Sequence, residues 1–138
     1  MFSSLNSVAF FSVKLNKKSG RCQSRCPNLI SSASEIISFP FRSKSTGKFY
    51  VILGDEIFSD GVDFFTANET TGFLHFVDFS DLKNPKEVAR FELPGYGSHN
   101  FWVEDDVVYA GMYNGGLRVI DVSGDLLGDL YKQGREIA

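Results

Sequence analysis

The chain has 138 residues and a net charge of −3, and 43% of its residues are hydrophobic. This length suits one domain or a few small repeats, with enough apolar residues for a packed core. Acidic residues outnumber basic ones, which argues against a nucleic-acid partner because phosphate binding needs clustered cations, and no apolar run is long enough to predict a transmembrane segment.

Residues 1–34 differ in composition from the rest of the chain. They are Ser-rich and carry five Lys/Arg and no Asp/Glu, whereas residues 35–138 carry all 17 acidic residues. This composition indicates a mispredicted start, a basic and poorly ordered tail, or a targeting-like segment. Its apolar stretch has no preceding positive residue and no nearby cleavage site, so it does not resemble a convincing signal peptide.

Residues 35–48 are predicted to be a linker or a weak strand, because Pro40 limits a strand here to an edge. From Phe49 onward, short β-rich runs alternate with turn clusters that contain Gly, Asn, Asp or Pro, which is typical of antiparallel sheets. The sequence therefore predicts an all-β fold. The predicted strands are 49–53, 63–68, 73–79, 88–93, 99–104, 107–112 and 117–122.

An internal repeat organises the chain: residues 106–123 repeat residues 63–80 without a gap, at an offset of 43 residues. Residues 86–89 are echoed by 135–138, after an insertion that we expect to form a surface loop. Four short strands in such a period are typical of a β-propeller blade. The identical pairs within the repeat include Gly72 with Gly115, Leu74 with Leu117, and Asp78 with Asp121.

The two copies, about 49–95 and 96–138, therefore predict about two four-stranded antiparallel blades. Propellers close with four or more blades, so two would form an incomplete ring. This predicts a fragment of a longer protein, whose ring is completed by further blades or by self-association.

The repeat resembles the LVIVD-repeat family of bacterial and archaeal proteins. The matching elements are G-L-R-V-I-D-V-S at 116–123 and F-L-H-F-V-D-F-S at 73–80, with D-x-x-N-P at 81–85 after the first copy. The resemblance covers about residues 50–138. It implies a β-propeller fold and an exported or cell-surface location, and it leaves the molecular activity open.

The repeated Asp and Gly residues have a structural interpretation. Asp78 and Asp121 each end a strand two residues before a Ser, where a carboxylate can accept hydrogen bonds from turn amides. Gly72, Gly115 and Gly116 are expected to form turns, because no helix follows them to bind a phosphate. The acidic turn at 104–106 is expected to be a solvated hairpin, and His75 a solvated or interblade side chain.

His99, Asn100 and Trp102 are the candidate binding residues, because the strand at 99–104 would border the central channel of a propeller. Glu56 occupies the position of His99 in the first copy. His99 is a weak candidate metal ligand, and no cofactor is predicted. Tyr109 and Tyr113 would extend the aromatic surface around Trp102, or would serve packing alone.

No nucleophile elbow, Cys/His pair or phosphate-binding loop is present in the sequence. The leading hypothesis is therefore a non-enzymatic recognition module for a protein or glycan. The alternative is a propeller enzyme or ligand-binding protein that holds a metal or ligand in its central channel, with His99 as one contributor.

Overall fold

The computed structural model describes residues 11–12, 35–58 and 70–138. Every regular element within these ranges is a β-strand, which confirms the predicted all-β fold. Apart from residues 11–12, the interpretation of residues 1–34 lies outside the described residues, and so does the predicted strand 63–68. The strands are β1 (Phe11–Ser12), β2 (Glu35–Arg42), β3 (Phe49–Phe58), β4 (Thr70–Thr71), β5 (Leu74–Asp78), β6 (Lys86–Phe91), β7 (Gly97–Glu104), β8 (Val107–Tyr113), β9 (Gly116–Asp121) and β10 (Gly128–Asp129).

The first sheet has the strand order β1-β2-β3-β5-β6-β10, with β4 attached to β3. Strand β2 pairs with β3 over eight residues, so the first part of 35–48 is a regular strand rather than a linker. The cause is its apolar alternation: Phe41 is buried, and Ile37 and Phe39 pack against the core. This burial outweighs the restriction that Pro40 imposes on the strand.

The neighbour of β5 differs from the one that the repeat predicts. The offset of 43 residues aligns 63–68 with β8, so the repeat predicts that residues 63–68 pair with β5. In the structure β3 pairs with β5 instead, from Tyr50–Asp78 to Gly54–Leu74. The same register joins β8 to β9 from Val107–Asp121 to Gly111–Leu117. In the structure, β3 is therefore the counterpart of β8.

The second sheet consists of β7, β8 and β9 in that order, and the last residues of the chain extend it. The amide of Asp121 donates to the carbonyl of Arg135, and the amide of Ile137 donates to the carbonyl of Val119. A β-bridge between Ile120 and Glu136 lies between these bonds. Residues 135–138 thus lie along β9 as residues 86–89 lie along β5.

The turns within the second sheet use the residue types that tight hairpins require. Asp105 and Asp106 connect β7 to β8 with φ of 51° and 58°, which is the backbone of a type I′ turn. Asn114, which follows β8, has φ of 59°, and Gly116, which begins β9, has φ of 67°. The sequence predicts a hairpin at 104–106 and a turn at Gly115 and Gly116, and the structure has turns at both positions.

One hydrophobic core lies between the two sheets. The first sheet contributes Ile52, Phe76 and Phe91, and the second contributes Phe101 and Ile120. The sheets approach each other closely at Gly54, where a Cβ atom would lie 2.5 Å from the Phe101 ring. A glycine is required there because the ring fills the space of a side chain.

The insertion between β9 and residues 135–138 is packed rather than a free surface loop. Its strand β10 pairs in parallel with β6, and the amide of Leu130 donates to the carbonyl of Arg90 at 2.8 Å. Leu126 and Leu130 are buried in the core. The insertion thereby covers the edge of β6, which would otherwise present unpaired backbone groups, and it joins the two sheets.

Candidate functional site

Four polar side chains from three strands meet beside the end of β8. Glu56 lies on β3, His99 and Asn100 lie on β7, and Tyr113 ends β8. The Tyr113 hydroxyl donates a hydrogen bond to Glu56 Oε1 and lies 3.1 Å from His99 Nδ1. Asn100 Nδ2 lies 3.0 Å from His99 Nε2. We call these four residues the His99 cluster.

The hydrogen bonds of the His99 cluster define the tautomer of its imidazole. Because the Tyr113 hydroxyl has one proton and donates it to Glu56, the hydroxyl oxygen accepts from His99 Nδ1–H. Nε2 is then the acceptor, and the Asn100 amide donates to it. Protons are thus aligned in one direction from Asn100 to Glu56. This arrangement orients His99, although about 45% of its side chain is exposed.

An irregularity in β7 places His99 and Asn100 together. The pairing of β7 with β8 shifts between Ser98 and Phe101, so two consecutive residues are exposed where alternation would bury one. Ser98 before them is buried, and its hydroxyl donates to the carbonyl of Asp55 at 2.9 Å. Bulges of this kind redirect side chains near binding sites. Glu56 and Tyr113 converge here with His99. The sequence indicated Glu56 through its alignment with His99, and Tyr113 only as part of an aromatic surface around Trp102.

Trp102 makes a separate ring contact. Its indole stacks on Tyr109, with ring centroids 5.1 Å apart and planes at 11°. The Tyr113 ring instead lies 4.9 Å from the His99 ring. The predicted trio therefore divides into a polar group, His99 with Asn100, and an aromatic pair, Trp102 with Tyr109.

The repeated Asp residues lie at strand ends. Asp78 Oδ1 accepts the amide hydrogen of Ser80, and Asp121 Oδ1 accepts that of Ser123, both at 2.8 Å. The pKa of Asp121 is held below its usual value, because its hydrogen bonds from Ser123 stabilise the carboxylate. These carboxylates close turns after their strands.

The three glycines differ in what requires them. Gly72 has φ of +138°, and a Cβ there would lie 2.0 Å from the carbonyl oxygen of Asp55. Gly116 has φ of +67°, which favours glycine in the hairpin. Gly115 is limited by packing, because a Cβ would lie 2.8 Å from the Tyr96 ring.

His75 is enclosed rather than solvated, with only 14% of its side chain exposed. Its Nδ1 lies 2.9 Å from Glu87 Oε1, and its Nε2 faces Asp55 Oδ1 at 3.5 Å, a distance at which the attraction is mainly coulombic. Burial opposes protonation of this imidazole, but the two carboxylates outweigh it and raise the pKa of His75 above its usual value. Sequence alignment missed this site, because the second copy has Arg118 at the same position.

We predict that the stability of the fold decreases as the pH rises through the pKa of folded His75. A raised pKa in the folded state means that protonation contributes stability below the unfolded value of about 6.5, and that this contribution is lost above the folded pKa. Glu87→Gln should lower the free energy of unfolding by about 1 kcal/mol near pH 5.5 and by much less near pH 8.5. Urea denaturation at both pH values measures this. Equal losses at the two pH values would contradict the pairing.

Across the described ranges, no group of three or more His, Cys, Asp or Glu residues is arranged to hold a metal ion. The described part of the chain also contains no helix long and apolar enough to cross a membrane. No protein-family model, curated protein or solved structure matches the chain.

Proposed function

We propose that this chain is a non-enzymatic recognition module of β-propeller-like, four-stranded units that binds a protein or glycan through the His99 cluster. The observation that carries the proposal is the hydrogen-bonded chain from Asn100 to Glu56. His99 and Asn100 are exposed, and Glu56 and Tyr113 are half-buried beside them. The four side chains are held on β3, β7 and β8. Groups positioned in this way lose little conformational freedom when a ligand binds.

The chemistry of the cluster suits a polar ligand. A carboxylate, a phenol, an imidazole and an amide offer both donors and acceptors within a few ångströms of one another. The Tyr113 ring against His99 supplies an apolar surface beside them. Such a mixture is typical of ligand sites in which a few polar groups fix orientation. The resemblance to LVIVD-repeat proteins supports an exported or cell-surface setting, where proteins and glycans are both available partners.

Loss of the cluster should abolish binding without unfolding the chain. We expect the wild-type chain to bind specific members of a glycan array, or a defined protein in pull-downs from cell-surface extracts. The double variant His99→Ala/Asn100→Ala should reduce this binding at least tenfold, because both side chains are exposed and donate or accept at the site. Lys132→Ala, at an exposed residue on the insertion, is the control that should bind as the wild type does. A turnover activity abolished by His99→Ala would contradict a non-enzymatic role.

One observation favours the alternative, a ligand or metal in a central channel. His99 and Glu56, which share a position in the sequence repeat, lie 3.7 Å apart between Nδ1 and Oε2. An imidazole and a carboxylate are both zinc ligands. Elemental analysis of the purified chain separates the two proposals. A stoichiometric metal that His99→Ala removes would favour the channel site, and a metal-free chain that binds its glycan or protein would favour recognition.

A further inference from the structure

The second sheet has an exposed apolar face on the side away from the shared core. A row of directly opposed residues crosses β7, β8, β9 and the end of the chain that extends this sheet: Trp102, Tyr109, Val119 and Ile137. Leu117 lies beside this row, two residues from Val119. Trp102, Leu117 and Ile137 are 47%, 58% and 61% exposed. We call this surface the aromatic face.

The corresponding face of the first sheet is covered by the second sheet. Its residues Ile52, Leu74 and Phe76 are completely buried. The correspondence follows from the common register of β3–β5 and β8–β9. Two opposed pairs match between the sheets: Ile52–Phe76 with Tyr109–Val119, and Gly54–Leu74 with Gly111–Leu117.

A glycine lies at the same place in both faces. Gly54 makes room for the Phe101 ring of the covering sheet, since a Cβ would lie 2.5 Å from it. Gly111 has open space instead, because a Cβ there would meet only the carbonyl oxygen of Asn100, at 3.5 Å. The aromatic face thus has a notch at Gly111 where the first sheet receives an inserted ring.

We propose that the aromatic face binds a second copy of this chain, which covers it as the second sheet covers the first. The association is head to tail: the aromatic face of one copy meets the outward face of the first sheet of the next. That outward face contains the exposed Pro40, the half-buried Val51 and Leu53, and Val77, which is 4% exposed. In the common register, Val51, Leu53 and Val77 correspond to Val108, Ala110 and Ile120. Those three residues form the face of the second sheet that packs against the first sheet.

The size of the aromatic face indicates a weak association. Four strands about 4.8 Å apart and about six residues long give a face of roughly 400 Å². A standard interface buries about 800 Å² per partner. The complex should therefore form and dissociate with concentration. Because the two contact faces differ, the contact is heterologous, and it forms a closed ring or an open chain depending on the rotation between copies.

Sedimentation equilibrium and Trp102 fluorescence test the association. The chain contains one Trp, so its emission reports on this face directly. We expect the weight-average mass to rise with concentration up to about 500 µM and the emission to shift to the blue in parallel, with dissociation constants above about 1 µM. A chain that stays monomeric, with unchanged emission, would overturn the proposal.

Substitutions locate the interface. Leu117→Glu, and Gly111→Val in the notch, should each raise the dissociation constant at least tenfold. Leu127→Glu is the matched control, because Leu127 is 65% exposed and lies on the insertion that covers the edge of β6. Circular dichroism establishes that each variant is folded. Association that persists in both Leu117→Glu and Gly111→Val would overturn the assignment to this face.

Mixing two variants tests the head-to-tail geometry. Leu117→Glu blocks the aromatic face, and Val51→Glu blocks the outward face of the first sheet. Pro40→Glu, at the exposed position opposite Val51, replaces Val51→Glu if that variant does not fold. Each variant alone should be monomeric, and an equimolar mixture should form a dimer, since each copy keeps one intact face.

If Val51→Glu and Pro40→Glu both associate as the wild type does, the aromatic face pairs with itself and the head-to-tail proposal is wrong. These variants leave His99 and Asn100 unchanged, so failure of this proposal and failure of the proposed function are distinguishable.

Discussion

Phe101→Ala is expected to lower the free energy of unfolding by about 4 kcal/mol. The Phe101 side chain is 2% exposed and fills the space between the two sheets opposite Gly54. Its removal loses buried apolar area and leaves a cavity, because strands on both sides hold their positions. Small domains have only about 5–15 kcal/mol of stability in total. Guanidinium denaturation followed by circular dichroism measures the loss.

A double-mutant cycle establishes that the loss arises at the contact between the sheets. Gly54→Ala should cost about 2 kcal/mol, because its Cβ would overlap the Phe101 ring. Combined with Phe101→Leu, which removes the overlapping ring atom, the same substitution should cost at least 1 kcal/mol less. Gly111→Ala is the matched control at the equivalent position of the second sheet, where the space is open, and it should change stability by less than about 0.5 kcal/mol. Additive effects at Gly54 and Phe101 would contradict this packing.

The strands from β5 to β9 could be predicted from the sequence because local signals agree with tertiary packing. Alternating apolar residues define each strand, and Asn114 and Asp106 lie in the hairpins that their residue types favour. The partner of β5 could not be predicted. Identity within the repeat favours 63–68, whereas the pairing of β3 is decided by the burial of Tyr50 and Ile52 against a sheet that is distant in the sequence.

The candidate site was predictable only in part, for a similar reason. His99 and Asn100 are adjacent in the sequence, so their proximity needs no tertiary information. Tyr113 reaches Glu56 across 57 positions, and only the packing of β7 beside β3, with β8 paired to β7, brings them together. The sequence predicts a solvated hairpin at Asp106 and a solvated or interblade side chain at His75, because most charged residues are exposed. Both are enclosed, since their partners come from other strands or turns.

Asp106→Ala is expected to lower the free energy of unfolding by about 3 kcal/mol. The Asp106 side chain connects the two sheets: its carboxylate accepts the amide hydrogens of Lys44 at 2.9 Å and Ser45 at 2.8 Å, and the Ser43 hydroxyl at 3.2 Å. Asp106 is 5% exposed. Alanine would leave donors of the β2–β3 turn without an acceptor, and a buried donor that loses a charged partner costs about 1–3 kcal/mol. Urea denaturation near pH 7 measures this.

Asp105→Ala separates the hydrogen bonds from the backbone strain of the same turn. Both residues have positive φ, so alanine strains the backbone equally, but Asp105 is exposed and its carboxylate pairs with Lys44 at the surface. This control should cost about 1 kcal/mol.

Burial raises the pKa of Asp106, but hydrogen bonds from Ser45, Lys44 and Ser43 outweigh it, and the net pKa is lowered. The contribution of the carboxylate is therefore complete above the unfolded pKa near 3.9 and is lost as the pH falls through the folded pKa. The difference between Asp106→Ala and Asp105→Ala should shrink below about pH 3, and a difference independent of pH would show that the ionised carboxylate does not join the sheets.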